Sequence, residues 1–573
     1  MSYWQTDDKI PISQKSISIP SQNGLEYSAG QRVIFEVPSG VEFIQPRECY
    51  LKWDVQLKLP SGKLPTKLQL DETLGAQSLI KDIRIYSGGA GKILLEELQN
   101  YNVLTNVKYT YETNDVLRKK RALTEGSTFH SVGTRGTCGG TESHKNNVIE
   151  NPYFKVKTGA TSTTWSDDDF LKVKCLLPIQ TGIFQNSKVF PVMMTEGLQI
   201  DILLEDNNKV MRQLDQVMRL KRHTFMPIYH SKNGSLEGPD ATGTAGDFQS
   251  IFLANDNLIK SVDSVPFCVG EEIQFVKLSD GTPIIPAPVC KISQISACAT
   301  NGLVQLDFSA SGQVATDITP LGTFGVVSNS VENETSYDAS YTLSDCELVL
   351  QQLEMPQGYK NTMMKMMKEG GSMNYDFLSF TNYKYSQLAS DIVANIRLPL
   401  NMSRAKAILS VPTDSTTYNS ADKITGKDTY TYFDDNDATG DRVMNSDKSG
   451  LVGIIDRLQD YQFFYDGKLN PSRKVDTSKT ATQMAVGQQG LIELEKALSM
   501  SNIIPYSFLG FQENFVIGRA LSLHNGVYDT RGKDFNLQVE YTAGTPTKNK
   551  LWNNYVAHLR RIEFTANGIS LQV

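Results

Sequence analysis

The sequence is poor in the residues that announce chemistry. Histidine occurs six times in 573 residues. No two histidines stand in an HExxH or HxH spacing, which removes the common zinc-hydrolase signatures. There are seven cysteines, an odd number with no CxxC pair: Cys49, Cys138, Cys175, Cys268, Cys290, Cys298 and Cys346. That pattern excludes a regular disulfide framework and leaves free thiols in a reducing compartment as the expectation. No GxSxG nucleophile motif occurs. No apolar run approaches the ~20 residues that a membrane span needs. The opening "MSYWQTDDKIPISQK" lacks the apolar core of a secretory signal. Without export, the sequons at Asn233, Asn333 and Asn401 are expected to stay unused. Basic charge is also short: 56 Lys and Arg face 63 Asp and Glu, a net charge of −7. Bulk attraction to nucleic acid is thereby excluded.

What the sequence has is alternation. In "ECYLKWDVQLKLP", Leu51, Trp53, Val55, Leu57 and Leu59 alternate with Tyr50, Lys52, Asp54, Gln56 and Lys58. A period of two with one apolar face reads as a strand of an antiparallel sheet. "QRVIFEVPSG", "SLIKDIRIYSGG", "FLKVKCLLP", "SKVFPVMMTEGLQIDILLED", "DIVANIRLPL", "AKAILSVP" and "FNLQVEYTAG" carry the same signal. The 24 Tyr, 24 Phe and 42 scattered Gly suit a β-rich chain with many turns.

Helical spacing is predicted in four places. In "KILLEELQNYNVLTNV" the stripe is Leu94, Leu98, Tyr101, Val103, Leu104 and Val107. The others are "NNKVMRQLDQVMRLK", "GLVGIIDRLQDYQFF" and "GLIELEKALSM". Residues from about Thr124 to Asp169 read as a long loop, and "HSKNGSLEGPDATGTAGD" as a flexible one. Short strands joined by glycine turns, at about residues 262–330, suggest a small β-barrel module.

"EGLQIDILLED" in the first half resembles "KDFNLQVEYTA" in the second, and "YTLSDCELVLQQLEM" matches the long strand that follows the latter. The reading is therefore mainly all-β: two tandem jelly-roll barrels with short helices in loops and a small β-barrel inserted in the first. The division is 1–30 as an N-terminal arm, 31–374 as the first jelly roll, and 375–573 as the second. The final "NGISLQV" is expected to be a strand completing the second barrel, with Ile569, Leu571 and Val573 on one buried face.

Several short stretches were tested for chemistry. His130, Cys138 and His144 lie close in sequence but match no finger spacing. "GGAGK" (Gly88 to Lys92) has Tyr86 where a phosphate loop needs glycine and Ile93 where it needs Ser or Thr, so it reads as a hairpin turn entering a helix. In Asp434–Asp441, calcium-loop spacing is met by Asp435, Asp437, Thr439 and Gly440. Ser446 stands where a bidentate Glu is required. The three carboxylates of Ser166–Phe170 are adjacent, so an extended chain points them to opposite faces. "RKKR" (Arg118–Arg121) reads as a solvated loop. Met363, Met364, Met366 and Met367 read as a packed helix at a subunit contact. No residue is assigned to catalysis, a cofactor or a metal, and an enzyme is not expected.

Taken in order, "GAQSLIKDIRIY" with "LLEELQNYN", "FPVMMTEGLQIDILLED", "FLSFTNYKYSQL", "IRLPLNMSRAKAILSVP", "LQDYQFFYDGKLNPSRKV" and "NYVAHLRRIEFTANGISLQV" run nearly the full length. In these segments the chain resembles the double jelly-roll major capsid proteins of the virophage and polinton-like virus group. The resemblance implies a structural protein of the virion, made without a signal peptide in the host cytoplasm or a viral factory. It implies a homotrimer that acts as a pseudo-hexamer and tiles an icosahedral shell, with penton and minor or cement proteins as further partners. The insertion would form an outer tower, and outer loops would meet the host surface. No sequence-specific nucleic-acid contact is implied. Two other readings remain: a carbohydrate-active β-sandwich enzyme, and a minor or penton capsid protein.

Overall fold

The structure is a computed structural model. It describes residues 13–58, 67–127 except 72, 90 and 113, 172–214, the strands between 227 and 328, 340–415, 450–477 except 456–457, 488–541 except 507–513 and 522–525, and 549–572 except 567.

Sixteen strands form two sandwiches. The first contains β1 (Ser13–Pro20), β2 (Arg32–Val37), β3 (Tyr50–Lys58), β4 (Ile80–Ser87), β5 (Leu94–Leu98), β6 (Lys172–Pro178), β7 (Leu198–Leu204) and β8 (Ser340–Glu354). The second contains β9 (Met373–Gln387), β10 (Val393–Leu398), β11 (Ala405–Asp414), β12 (Leu458–Tyr465), β13 (Lys468–Asp476), β14 (Ile517–Ala520), β15 (Phe535–Tyr541) and β16 (Lys550–Thr565). The main sheets of the first run β1-β8-β3-β6 and β2-β7-β4-β5; those of the second run β9-β16-β11-β14 and β10-β15-β12-β13. Each strand thus has a counterpart eight strands later, in the same place. This is jelly-roll winding, twice.

The alternation read from sequence sets the burial. Leu51, Trp53, Val55 and Leu57 of β3 all lie in the core. One continuous apolar cluster runs through both barrels, and Trp53 and Trp552 are its largest fully buried side chains.

Because every pairing is antiparallel, the chain reverses at each step. The connections therefore sort to two ends. The β3–β4, β5–β6 and β7–β8 connections leave from one end, termed the crown, and there Lys67–Leu70 pairs with Met211–Leu214. At the opposite end, β12 and β13 are joined by only Asp466 and Gly467, both at positive φ.

Two helices take the same place in the two barrels: α1 (Tyr101–Glu112) follows β5, and α4 (Gln488–Met500) follows β13. Between them in sequence come α2 (Asp115–Thr124), a single helical turn at Asn207–Val210, and α3 (Gln357–Lys368), the last linking the barrels.

Several expectations are corrected. Residues 1–30 are not all an arm: β1 pairs along β8, and Glu26–Ser28 also pairs with β8. Leu94–Leu98 is a strand, so the helix starts only at Tyr101 and the turn after Gly88 enters a strand. Its apolar residues satisfied both periods, and pairing with β4 decided the matter. In "NNKVMRQLDQVMRLK", a helical turn at Asn207–Val210 is followed by the strand Met211–Leu214, and the rest lies outside the described residues. "GLVGIIDRLQDYQFF" is not helical; its second half is β12, paired to β15. The inserted strands begin at Pro227, well before 262. Those of Pro227–Lys232, Ser235–Glu237 and Gly246–Leu253 include the described residues of the stretch expected as flexible loop. The strand that closes the second barrel is β16. The following β17 (Gly568–Gln572) is a hairpin partner on its end, with Ile569 and Leu571 only half-buried; Val573 lies outside the described residues.

Candidate functional site

Among the described residues, a network of buried polar side chains lies at the seam between the barrels. The first barrel supplies β5, α1 and the β6–β7 connection. The second supplies β9, β16 and part of its β13–β14 connection.

At its centre is Glu96 of β5, 2% exposed. Its carboxylate accepts from the backbone N–H groups of Gly182 (2.8 Å) and Ile183 (2.9 Å), and from Ser379 Oγ of β9 (3.0 Å). Burial raises its pKa; the three donors and the nearby Arg560 act the other way. Arg560 of β16 in turn donates to the carbonyl of Leu94 (3.3 Å). Gly182 fits because it has no side chain: a Cβ there would lie 2.0 Å from the Leu378 carbonyl oxygen.

Beside Glu96, asparagines bridge the barrels. Asn100 and Asn382 both donate to Asn553 Oδ1, and Tyr555 donates its hydroxyl to the Asn100 carbonyl at 2.7 Å. Asn100 adopts φ 49°, a left-handed turn that asparagine tolerates, and this turn ends β5 and begins α1. Farther along α1, Asn514 Nδ2 donates to Asn106 Oδ1 (3.1 Å), and Tyr111 donates to the Asn514 carbonyl (3.0 Å). Lys108 sits 5.1 Å from the centre of the Phe380 ring and donates to the Gln180 carbonyl; burial lowers its pKa. The apolar part of the seam is an edge-to-face contact of Phe190 with Tyr375, ring centres 5.0 Å apart.

The crown end of the first barrel is tied in the same manner. Asn102 donates to the Ser78 carbonyl (3.1 Å) and to Glu205 Oε2 (3.0 Å), joining all three crown connections at one buried side chain. Burial alone would raise the Glu205 pKa, but Lys209 and Lys81 reverse this and hold it below the ordinary value. Glu125, at the end of α2, is pushed up to about 7 by burial, against the pull of Arg121 and of the Tyr109 hydroxyl 2.9 Å away.

The buried ionisable groups described here are thus fixed by hydrogen bonds between connections and barrels. The arrangement immobilises. Among the described residues, no group of three His, Cys, Asp or Glu side chains is placed to hold a metal. Cys49, Cys175 and Cys346 are buried, and burial raises the Cys49 and Cys346 thiols to about 12. No helix among the described residues is long and apolar enough to cross a membrane.

The stretches singled out in the sequence do not converge. His130, Cys138, His144, Ser166–Phe170, Asp434–Asp441, Asn233 and Asn333 lie outside the described residues. Asn401 is exposed. Gly88–Lys92 is the β4–β5 turn. Arg118–Arg121 belongs to α2 rather than a loop, and Arg121 stacks 3.5 Å from the centre of the Tyr109 ring. Met363 and Met367 are buried on α3, while Met364 and Met366 are exposed. Sequence reasoning missed the seam. Its one visible trace was polar residues on otherwise apolar strands, such as Glu96 in "LLEEL" and Asn553 in "LWNNYVAHL".

The chain is a double jelly roll. No protein-family model and no curated protein matches its sequence. Among solved structures, the double jelly roll is similar to the Faustovirus major capsid protein at 8% identity, covering 98% of this chain and 92% of that one, with a TM-score of 0.47. It is similar to a chain in the cryo-EM structure of the Sputnik virophage at 9% identity, covering 98% and 88%, with a TM-score of 0.46. To the mavirus major capsid protein it shows 10% identity, 100% and 95% coverage and a TM-score of 0.35.

Proposed function

We propose that this double jelly roll is a shell-building major capsid protein, with no catalytic role, located in the virion. One observation carries the reading: two barrels of the same strand order are locked side by side by a buried seam within one chain. Three such chains around an axis present six similar barrels, so a trimer fills a six-fold position in a hexagonal lattice. The polar seam suits this use, because hydrogen bonds between buried polar groups are directional and fix one relative placement where an apolar face tolerates sliding. Penton and minor capsid or cement proteins are the further partners, and the crown loops are the surface offered outward to a host.

The test is the particle itself. Light scattering after gel filtration should give about three times the chain mass of 63.7 kDa, and negative-stain images should show pseudo-hexagonal particles. A monodisperse monomer over a wide concentration range overturns the reading.

A further inference from the structure

α2 lies on the first barrel with little apolar contact to hold it. Of its residues with described side chains, only Ala122 is buried, while Val116 is 75% exposed and Leu123 73%. A helix with so few buried apolar groups opens locally more easily than the core beneath it. Polar contacts at its C-terminal end do the holding. The Glu125 amide donates to the Arg121 carbonyl (2.7 Å), and the Glu125 carbonyl accepts from the Ala76 amide (2.7 Å). The two backbones approach so closely there that a Cβ on Gly75 would lie 2.3 Å from the Glu125 carbonyl oxygen. That contact seats Glu125, itself buried, against α1.

The groups around the Glu125 carboxyl come from three elements. From α1, Tyr109 donates its hydroxyl at 2.9 Å, and Tyr101 stands near. From the turn Gly75–Leu79, Gln77 donates to the Tyr109 hydroxyl (3.3 Å) and to the Pro178 carbonyl (2.9 Å), and accepts from Tyr101 (2.9 Å). From α2 itself come two cations, Lys120 and the Arg121 that stacks on the Tyr109 ring. Arg121 also faces Glu112 of α1, a second carboxyl whose pKa burial raises. One guanidinium thus serves two carboxyls. A neutral Glu125 suits this place; an ionised one calls for water that its burial denies. The tyrosines and Gln77 are fixed in the core, whereas α2 can leave with little loss of apolar burial.

We propose that Glu125 is a pH-sensitive latch: α2 is docked on the first barrel while the carboxyl carries its proton, and undocks when the carboxyl ionises. Docked, Glu125 has a pKa of about 7; undocked, it is in water and has the ordinary value of about 4.3. The docked state therefore holds the proton more tightly. Docking is strongest below about pH 4.3, weakens as pH rises, and levels off above about 7. Between pH 6 and pH 8 the docking constant falls about tenfold. The latch is a property of a single chain and operates whether or not copies assemble.

Hydrogen exchange of the full-length protein, read by mass spectrometry from pH 5 to 9 and corrected for the intrinsic rate, tests it. The opening constant of residues 115–127 should be about ten times larger at pH 8 than at pH 6, while β3 keeps its protection at both. Glu125→Gln, neutral throughout, should hold α2 equally well at the two pH values. Tyr109→Phe keeps the ring beneath Arg121 but removes a donor that favours the carboxylate, so the pH at which α2 opening levels off should move upward. Wild-type α2 protection that does not change with pH overturns the latch. So does a wild-type pH response in Glu125→Gln, a levelling-off pH unmoved by Tyr109→Phe, or loss of β3 protection together with that of α2.

Discussion

Ser379 donates its hydroxyl to Glu96 across 3.0 Å, between strands of different barrels and 283 positions apart in the chain. With the Gly182 and Ile183 amides on the same carboxylate, this contact sets how the barrels sit. Glu96→Leu keeps the volume but leaves two buried N–H groups without an acceptor. The expected loss is about 1–3 kcal/mol for each, read as a lower denaturant midpoint. Ser379→Ala should cost less, about 0.5–1.5 kcal/mol.

Gly182→Ala should act at the same place by sterics. Its Cβ would be 2.0 Å from the Leu378 carbonyl oxygen, so β9 has to move. Overpacking of this kind costs about 1–3 kcal/mol. Gly91→Ala, with nothing within 4 Å of the added carbon, should leave the melting temperature nearly unchanged.

Glu125 gives a pH dependence with a definite sign. Its folded pKa of about 7 lies above the ordinary carboxylate value. The folded state therefore holds the proton more tightly than the unfolded chain. The associated stability is whole below the unfolded pKa, at about pH 4.3, and is lost as pH rises through about 7. Its size is on the order of 3 kcal/mol. Melting curves from pH 5 to 8 should fall for the wild type and be flatter for Glu125→Gln, with the variant the more stable at pH 8.

His558 works in the opposite direction. Burial, with Arg560 nearby, lowers its pKa to about 3. The unfolded chain protonates first on acidification, so this contribution is present above about pH 6.5 and is lost as pH falls toward 3. His558→Gln should blunt the loss of stability between pH 6 and 4 in a urea titration.

The C-terminal hairpin should be partly dispensable. Ile569 and Leu571 are only half-buried, so deletion of residues 568–573 should cost about 2–3 kcal/mol and leave soluble, assembled protein. Trp552→Ala should cost more, about 3–5 kcal/mol, because Trp552 is fully buried and donates to Gln387 at 2.8 Å. Equal heat resistance of the two variants contradicts this ranking. Replacing 227–328 with a short Gly/Ser linker should also preserve assembly, since among the described residues the strands in that range pair with one another.

The two-residue period determined much of the architecture by itself. β2, β3, β4, β10, β11 and β15 were legible, because a sheet with one buried face admits only one register for an alternating strand. The doubling was legible too, since β7 and β15 face the same environment and so carry the same pattern. Tertiary structure decided the rest. Leu94–Leu98 and Leu458–Tyr465 are short apolar runs that fit a helix or a strand alone, and became strands because β4 and β15 offered unpaired edges. α1 is buried all round while α4 is not, although both follow the same strand, because a second barrel lies against only one of them. Glu96, Asn100, Asn514 and Asn553 are residue types ordinarily found in water. Nothing local marks them as buried, since the side-chain partners come from 61 to 453 positions away in the chain. Hydrogen-bond satisfaction is a property of the assembled chain, and local sequence records only that a polar group is there to be satisfied.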